Sequence, residues 1–115
     1  MTKRTYVLAL IVSLFVAAAS ARGDAVGDWN AITAQAIANA AVAGTPARPG
    51  PSALLDYAMV HAAVYDAVQA IEGKFKPYAI EIPGASGSPI AAAAAAAHDM
   101  LVNRFPAQAA TYLDP

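Results

Sequence analysis

The chain has 115 residues, 58% of them hydrophobic and 13% charged, with a formal net charge of −1. That balance excludes a disordered chain and gives no basic footprint for nucleic acid. There is no cysteine, so disulfides, thiol nucleophiles, haem thiolates and thiolate zinc sites are excluded within it.

Lys3 and Arg4 precede an apolar run from Tyr6 to Ala19, and Ala19-Ser20-Ala21 supplies the small-x-small pattern that signal peptidase accepts. Residues 1–21 therefore read as a secretory signal peptide, which makes the protein exported, periplasmic or secreted, and in contact with the membrane only transiently. The alternative is an uncleaved anchor, but the run is interrupted by Ser13 and falls short of the roughly 20 apolar residues a spanning helix needs. Cleavage removes two of the seven basic residues and none of the eight acidic ones, leaving a mature segment, 22–115, with a net charge of −3. Alanine dominates its apolar content and buries little area per residue, so its core is expected to be thin.

Asp28 is placed to cap a first mature helix from Trp29 to Val42, with Trp29, Ile32, Ala36 and Ala40 on its apolar face and Gln35 and Asn39 opposite. Gly44–Pro51, GTPARPGP, reads as a loop. A long helix follows, capped by Ser52 and closed by Gly73. At about 100° per residue, Leu54, Tyr57, Val60, His61, Val64, Tyr65, Val68 and Ile71 share a bulky face. Ala62, Ala63, Ala67 and Ala70 share the small face with Asp56, Asp66 and Gln69. Such a helix can bury one side in a core and let a neighbour approach its alanines closely.

Lys74–Pro77 turns the chain, and Tyr78–Ile82 alternates like a short extended piece without a partner strand. Pro83–Pro89 is a second loop, with Ser88 placed to cap and Pro89 at the first position of a helix running to Arg104. Ile90, Ala94, Ala97, Leu101 and Phe105 form its expected apolar face. Pro106 ends that helix and can begin a fourth over Ala107–Leu113, which breaks off at Asp114-Pro115. The expected fold is all-α: a helical bundle fragment of about three mature helices and a truncated fourth, after an N-terminal signal helix.

No constellation announces a reaction. His61 and Asp66 lie 140° apart around their helix, and His98 and Asp99 lie 100° apart, so neither pair presents two ligands on one face. His61 with His98 across two helices gives only two ligands, too few for a zinc or iron site. The Tyr57, His61, Tyr65 stripe reads as packing with hydroxyls at the rim, and Asp66 as a partner for a neighbouring helix. Ser86-Gly87-Ser88 reads as a cap and connector, because no Walker lysine follows it. No catalytic, cofactor-binding or metal-binding residue is assigned.

Three segments nevertheless resemble a known family. They are DAVGDWNAITAQAI (24–37), AMVHAAVYDAVQAIEGKFKPY (58–78) and AAAAAAAHDMLVNRFPAQAATYL (91–113). Together they resemble vanadium-dependent haloperoxidase-related proteins, the exported bacterial branch of the superfamily that includes type 2 phosphatidic acid phosphatases and acid phosphatases. The resemblance implies a helical bundle handling a tetrahedral or trigonal-bipyramidal oxyanion, with vanadate as the cofactor of a complete haloperoxidase. Lysine, arginine, serine and backbone donors would surround the equatorial oxygens, and histidine would take the apical position. Those family residues come in a lysine-to-Arg-Pro segment, a Ser-Gly-His segment and an Arg-to-His segment. None is present here: Arg48-Pro49 lacks the preceding lysine, Ser86-Gly87 leads to Ser88, and Arg104 has no histidine after it.

The expectation is therefore the N-terminal scaffold portion of a haloperoxidase/phosphatase-like domain, 22–115, inert alone, whose partner is the missing C-terminal helical portion of the same domain. Halide oxidation and phosphomonoester hydrolysis stay open, as does the oligomeric state. The competing expectation is a small exported all-helical interaction module without catalytic activity.

Overall fold

The computed structural model describes residues 24–42 and 50–114. The signal-peptide segment and most of the 44–51 loop lie outside the described residues. Within them the protein is all-helical and has no β-strand. Helix α1 spans Ala25–Val42, α2 spans Gly50–Glu72 and α3 spans Pro89–Arg104. The chain then makes a short 3₁₀ turn, Pro106–Gln108, and a single π-helical turn, Ala109–Leu113, where a fourth helix was expected.

Local chemistry accounts for most boundaries. Helix α1 starts before Trp29, because Asp24 accepts from the Gly27 amide at 2.7 Å and does the capping expected of Asp28. Helix α2 starts at Gly50, so Gly50 and Pro51 are helical and Ser52 lies inside the first turn. Pro51 is tolerated there because first-turn amides have no intrahelical acceptor to lose. Gly73 closes α2 in the left-handed conformation at φ 62°, its amide donating to the Gln69 carbonyl at 2.8 Å. Ser88 caps α3, accepting from the Ala91 amide at 3.3 Å ahead of Pro89.

Helices α2 and α3 form the main packed pair, and α1 lies against both. The core consists of Ala36 and Ala40 from α1, Val60 and Val64 from α2, and Ala93, Ala97 and Leu101 from α3, with Phe105 behind it. Trp29, Ile32, Ile37, Val68, Met100, Tyr112 and Leu113 close its edges. Half of the eight buried core residues are alanine, so the helices meet through short side chains.

The packed face of α2 differs from its bulkiest face. Val60 and Val64 are buried, but Leu54, His61 and Tyr65 are exposed, while Asp56, Asp66 and Gln69 are buried. Each of these polar groups has a partner that the bulky-face reading did not supply. In α3 the buried stripe is Ala93, Ala97 and Leu101, continued by Phe105 just past its end, and Ile90 is exposed. No described helix is long and apolar enough to cross a membrane.

Candidate functional site

The polar side chains of these helices converge on their neighbours, and three clusters account for the residues singled out above. The first lies between α2 and α3. Arg104 Nε donates to Asp56 Oδ1 at 2.8 Å, and the Asp56 carboxylate is fully buried. A charge in that setting is stable only beside an opposite charge and with hydrogen bonds, and the pair ties α2 to the end of α3. Asp56 was placed on the small face with the alanines, but it also lies four residues before the buried Val60, at the border of the packed face. Arg104, the one α3 guanidinium, is thus committed to a helix contact.

The second cluster pins the segment after α2. Asp66 is buried, and its carboxylate accepts from the amides of Tyr78, Ala79 at 2.8 Å and Ile80 at 2.9 Å. Burial pushes this carboxyl up, but the three backbone donors outweigh it and hold the group below the usual carboxylate range. Gln69 Oε1 accepts from the Phe75 amide at 2.9 Å, and the Tyr65 hydroxyl donates to the Lys76 carbonyl at 3.0 Å. Asp66 was expected to pair with a neighbouring helix; it holds a loop instead. Tyr78 and Ala79 lie in a bend instead of the extended piece that the alternation suggested, and the bend brings three successive amides onto the carboxylate. An open cleft of about 450 Å³ lies between the end of α2 and this loop, with Gln69, Lys74, Phe75, Ile80 and Ile82 among its walls.

The third cluster surrounds His98. Its Nδ1 stands 3.1 Å from Asp99 Oδ1 and its Nε2 stands 2.8 Å from Asp114 Oδ1. The Trp29 ring meets the imidazole edge-on, with ring centroids 6.2 Å apart. The Asp99 hydrogen bond raises the His98 pKa above its ordinary value; partial burial opposes this, and Asp114 adds to it. His61 is separate and exposed, with Nε2 at 3.1 Å from Asn30 Oδ1 on α1.

Tyr57 is half-buried, and His61 and Tyr65 of the same stripe reach different neighbours, Asn30 and the Lys76 carbonyl. Ser88 is occupied as the α3 cap, and Gly87 before it has φ 126°. Among the described residues no three His, Asp or Glu side chains are grouped to hold a metal ion. Lys74 pairs with Glu72 at 3.1 Å. Sequence reasoning missed the Asp56–Arg104 pair, and also the link at the other end of α1. There Gln108 Nε2 donates to the Ala36 carbonyl at 2.7 Å, and Asn39 reaches Gln108 Oε1 at 3.3 Å.

Taken together, these groups fix helices, a loop and a turn. Comparison with protein-family models, with curated proteins and with solved structures returns no match.

Proposed function

We propose that this chain is the helical scaffold of an exported enzyme of the vanadium haloperoxidase/acid phosphatase type, providing packing surface while further chain provides the oxyanion-binding residues. In a complete haloperoxidase those residues would hold vanadate for peroxide-dependent halide oxidation; in a phosphatase they would hold the phosphoryl group. The reading rests on the resemblance of segments 24–37, 58–78 and 91–113.

The single observation that supports it is the distribution of large apolar side chains. Leu54, Leu55, Phe75, Tyr78, Ile80 and Ile90 are each more than 60% exposed, whereas the core beneath is half alanine. Isolated surface leucines are ordinary, but so many large side chains outside so thin a core suit a surface that other helices cover. The polar clusters agree with a scaffold role, because Asp56, Arg104, Asp66 and Gln69 are all spent on internal contacts.

The coding frame after Pro115 tests the reading. It is expected to encode the lysine-to-Arg-Pro, Ser-Gly-His and Arg-to-His segments. The joined product is expected to brominate in a vanadate-dependent manner or to hydrolyse phosphomonoesters, while the 115-residue chain stays at background. A frame without those segments, or turnover by the chain alone, overturns it. N-terminal sequencing of exported product is expected to start at Arg22; an intact Met1 in the membrane fraction would replace the cleaved signal by an anchor. The interaction-module reading predicts a cooperative thermal transition of the monomeric chain, and the scaffold reading predicts a broad one.

A further inference from the structure

The surroundings of His98 have a consequence for the C-terminal turn that does not depend on the scaffold reading. Both ring nitrogens stand at hydrogen-bond distance from carboxylate oxygens, 3.1 Å to Asp99 and 2.8 Å to Asp114. An ionised carboxylate offers acceptors alone, so both contacts are hydrogen bonds only when both ring nitrogens carry a proton. A neutral imidazole has one N–H. It serves one carboxylate and turns a lone pair toward the other.

The two carboxylates differ in what they join. Asp99 is the next residue on α3, so its contact links nothing new. Asp114 follows the π-helical turn, sixteen residues further along the chain, and its contact closes the turn onto the helix. That turn carries Tyr112 and Leu113, which pack against the core, and it ends with the Asp114 amide donating to the Ala109 carbonyl at 2.7 Å.

We propose that His98 is a proton-operated latch for the C-terminal turn: doubly protonated, it holds Asp114 and seats Tyr112 and Leu113 on the core, and loss of one proton loosens the turn and uncovers the core beneath it.

The groups around the latch set its direction. Among the described residues the charges acting on His98 come from Asp99, first, and Asp114. Helix α1 contributes the neutral Trp29 ring. On α2, Asp56 is engaged with Arg104 and Asp66 with the 78–80 amides. The 3₁₀ turn, Pro106–Gln108, carries no charged residue. Because the folded-state pKa is raised above the ordinary 6.5, the stabilisation is fully present below that value and is lost as pH rises through the folded value. With its remaining proton on Nδ1, neutral His98 loses Asp114 outright. With the proton on Nε2, it keeps a hydrogen bond to Asp114 but loses the attraction between opposite charges, and it faces Asp99 with a lone pair. His98 retains 27% side-chain exposure and Asp114 63%, so the effect has the size of a partly exposed ion pair. That corresponds to a change of about two- to five-fold in the opening equilibrium of the turn.

Amide hydrogen exchange of the full chain tests the latch, read at Tyr112, Leu113 and Asp114 and corrected for intrinsic rates. The readings are taken about one pH unit below and about two units above the ordinary histidine value. The NMR titration of the His98 ring is followed in parallel. Protection is expected at the acidic pH, falling about two- to five-fold as His98 titrates above its ordinary value. Asp114→Asn is expected to abolish the pH dependence, and Asp99→Asn to lower the His98 titration while leaving the turn docked at acidic pH. Absence of protection at the acidic pH, equal protection at both, or a pH dependence that survives in Asp114→Asn overturns the proposal. None of these readings bears on the downstream frame, so failure of the latch and failure of the scaffold assignment are distinguishable.

Discussion

Single residues of α2 and α3 carry consequences out of proportion to their number. Asp56 is a fully buried carboxylate facing Arg104 Nε at 2.8 Å. Replacing Arg104 by leucine leaves that charge in the interface, so Arg104→Leu is expected to destabilise the protein by about 3 kcal/mol, measured by chemical denaturation. Lysine at the same place restores the charge but not the planar donor geometry and should recover part of the loss. Asp66 acts on a loop instead of a helix. In Asp66→Ala, exchange protection at Tyr78, Ala79 and Ile80 is expected to fall by about tenfold or more while the α3 amides keep theirs. Acid should do the same to the native protein. Asp66 has a depressed folded-state pKa, so its contribution is present above the ordinary carboxylate value of 3.8 and is lost as pH falls through the lower folded value. These roles were hard to read in advance because a helical wheel places Asp56 and Asp66 among alanines without saying what meets them. Their partners lie 48 and 12 to 14 residues away.

At the scale of the element, α3 was the most legible part of the chain. Ser88, Pro89 and Phe105 with Pro106 mark both ends by local chemistry, and the structure places the helix at Pro89–Arg104. Its face was legible only in part. Ala97, Leu101 and Phe105 are buried as the spacing predicts, but Ala93 takes the place expected of Ala94, and Ile90 stays outside. A run of seven alanines has no amphipathic contrast, so only the neighbours decide which alanines are covered. Ala97 is fully buried where α3 meets the other helices. Ala97→Leu is expected to cost about 1–3 kcal/mol through overpacking, seen as a lower melting temperature. Ala95, exposed on the same helix, accepts leucine with an effect within about 0.5 kcal/mol.

At the scale of the molecule, the all-helical architecture and its thin alanine core followed from composition and periodicity, whereas the surface did not. Leu54 was expected on the bulky face of α2, yet it and its neighbour Leu55 are both more than 60% exposed. Hydrophobic spacing identifies a face to be covered without saying whether the same described helices cover it. Leu54→Ser with Leu55→Ser is expected to leave stability within about 1 kcal/mol while reducing dye binding and self-association, read by fluorescence and sedimentation. A large loss of stability would show instead that the leucines belong to the core of this chain.

The carboxylate of Asp66 also occupies donors that would otherwise be open to another chain. Tyr78–Ile82 has the alternation of a strand, with Tyr78, Ile80 and Ile82 exposed, and segments of that kind pair edge to edge when their amides are unoccupied. Here Tyr78 and Ala79 lie in a bend, and a side chain from α2 gathers three consecutive amides, which an extended strand would point to alternate edges. The carboxylate thus holds the segment out of the extended conformation that edge pairing requires. Asp66→Ala should therefore free the segment to extend and pair into fibres, and thioflavin fluorescence of the variant against the native chain would reveal it.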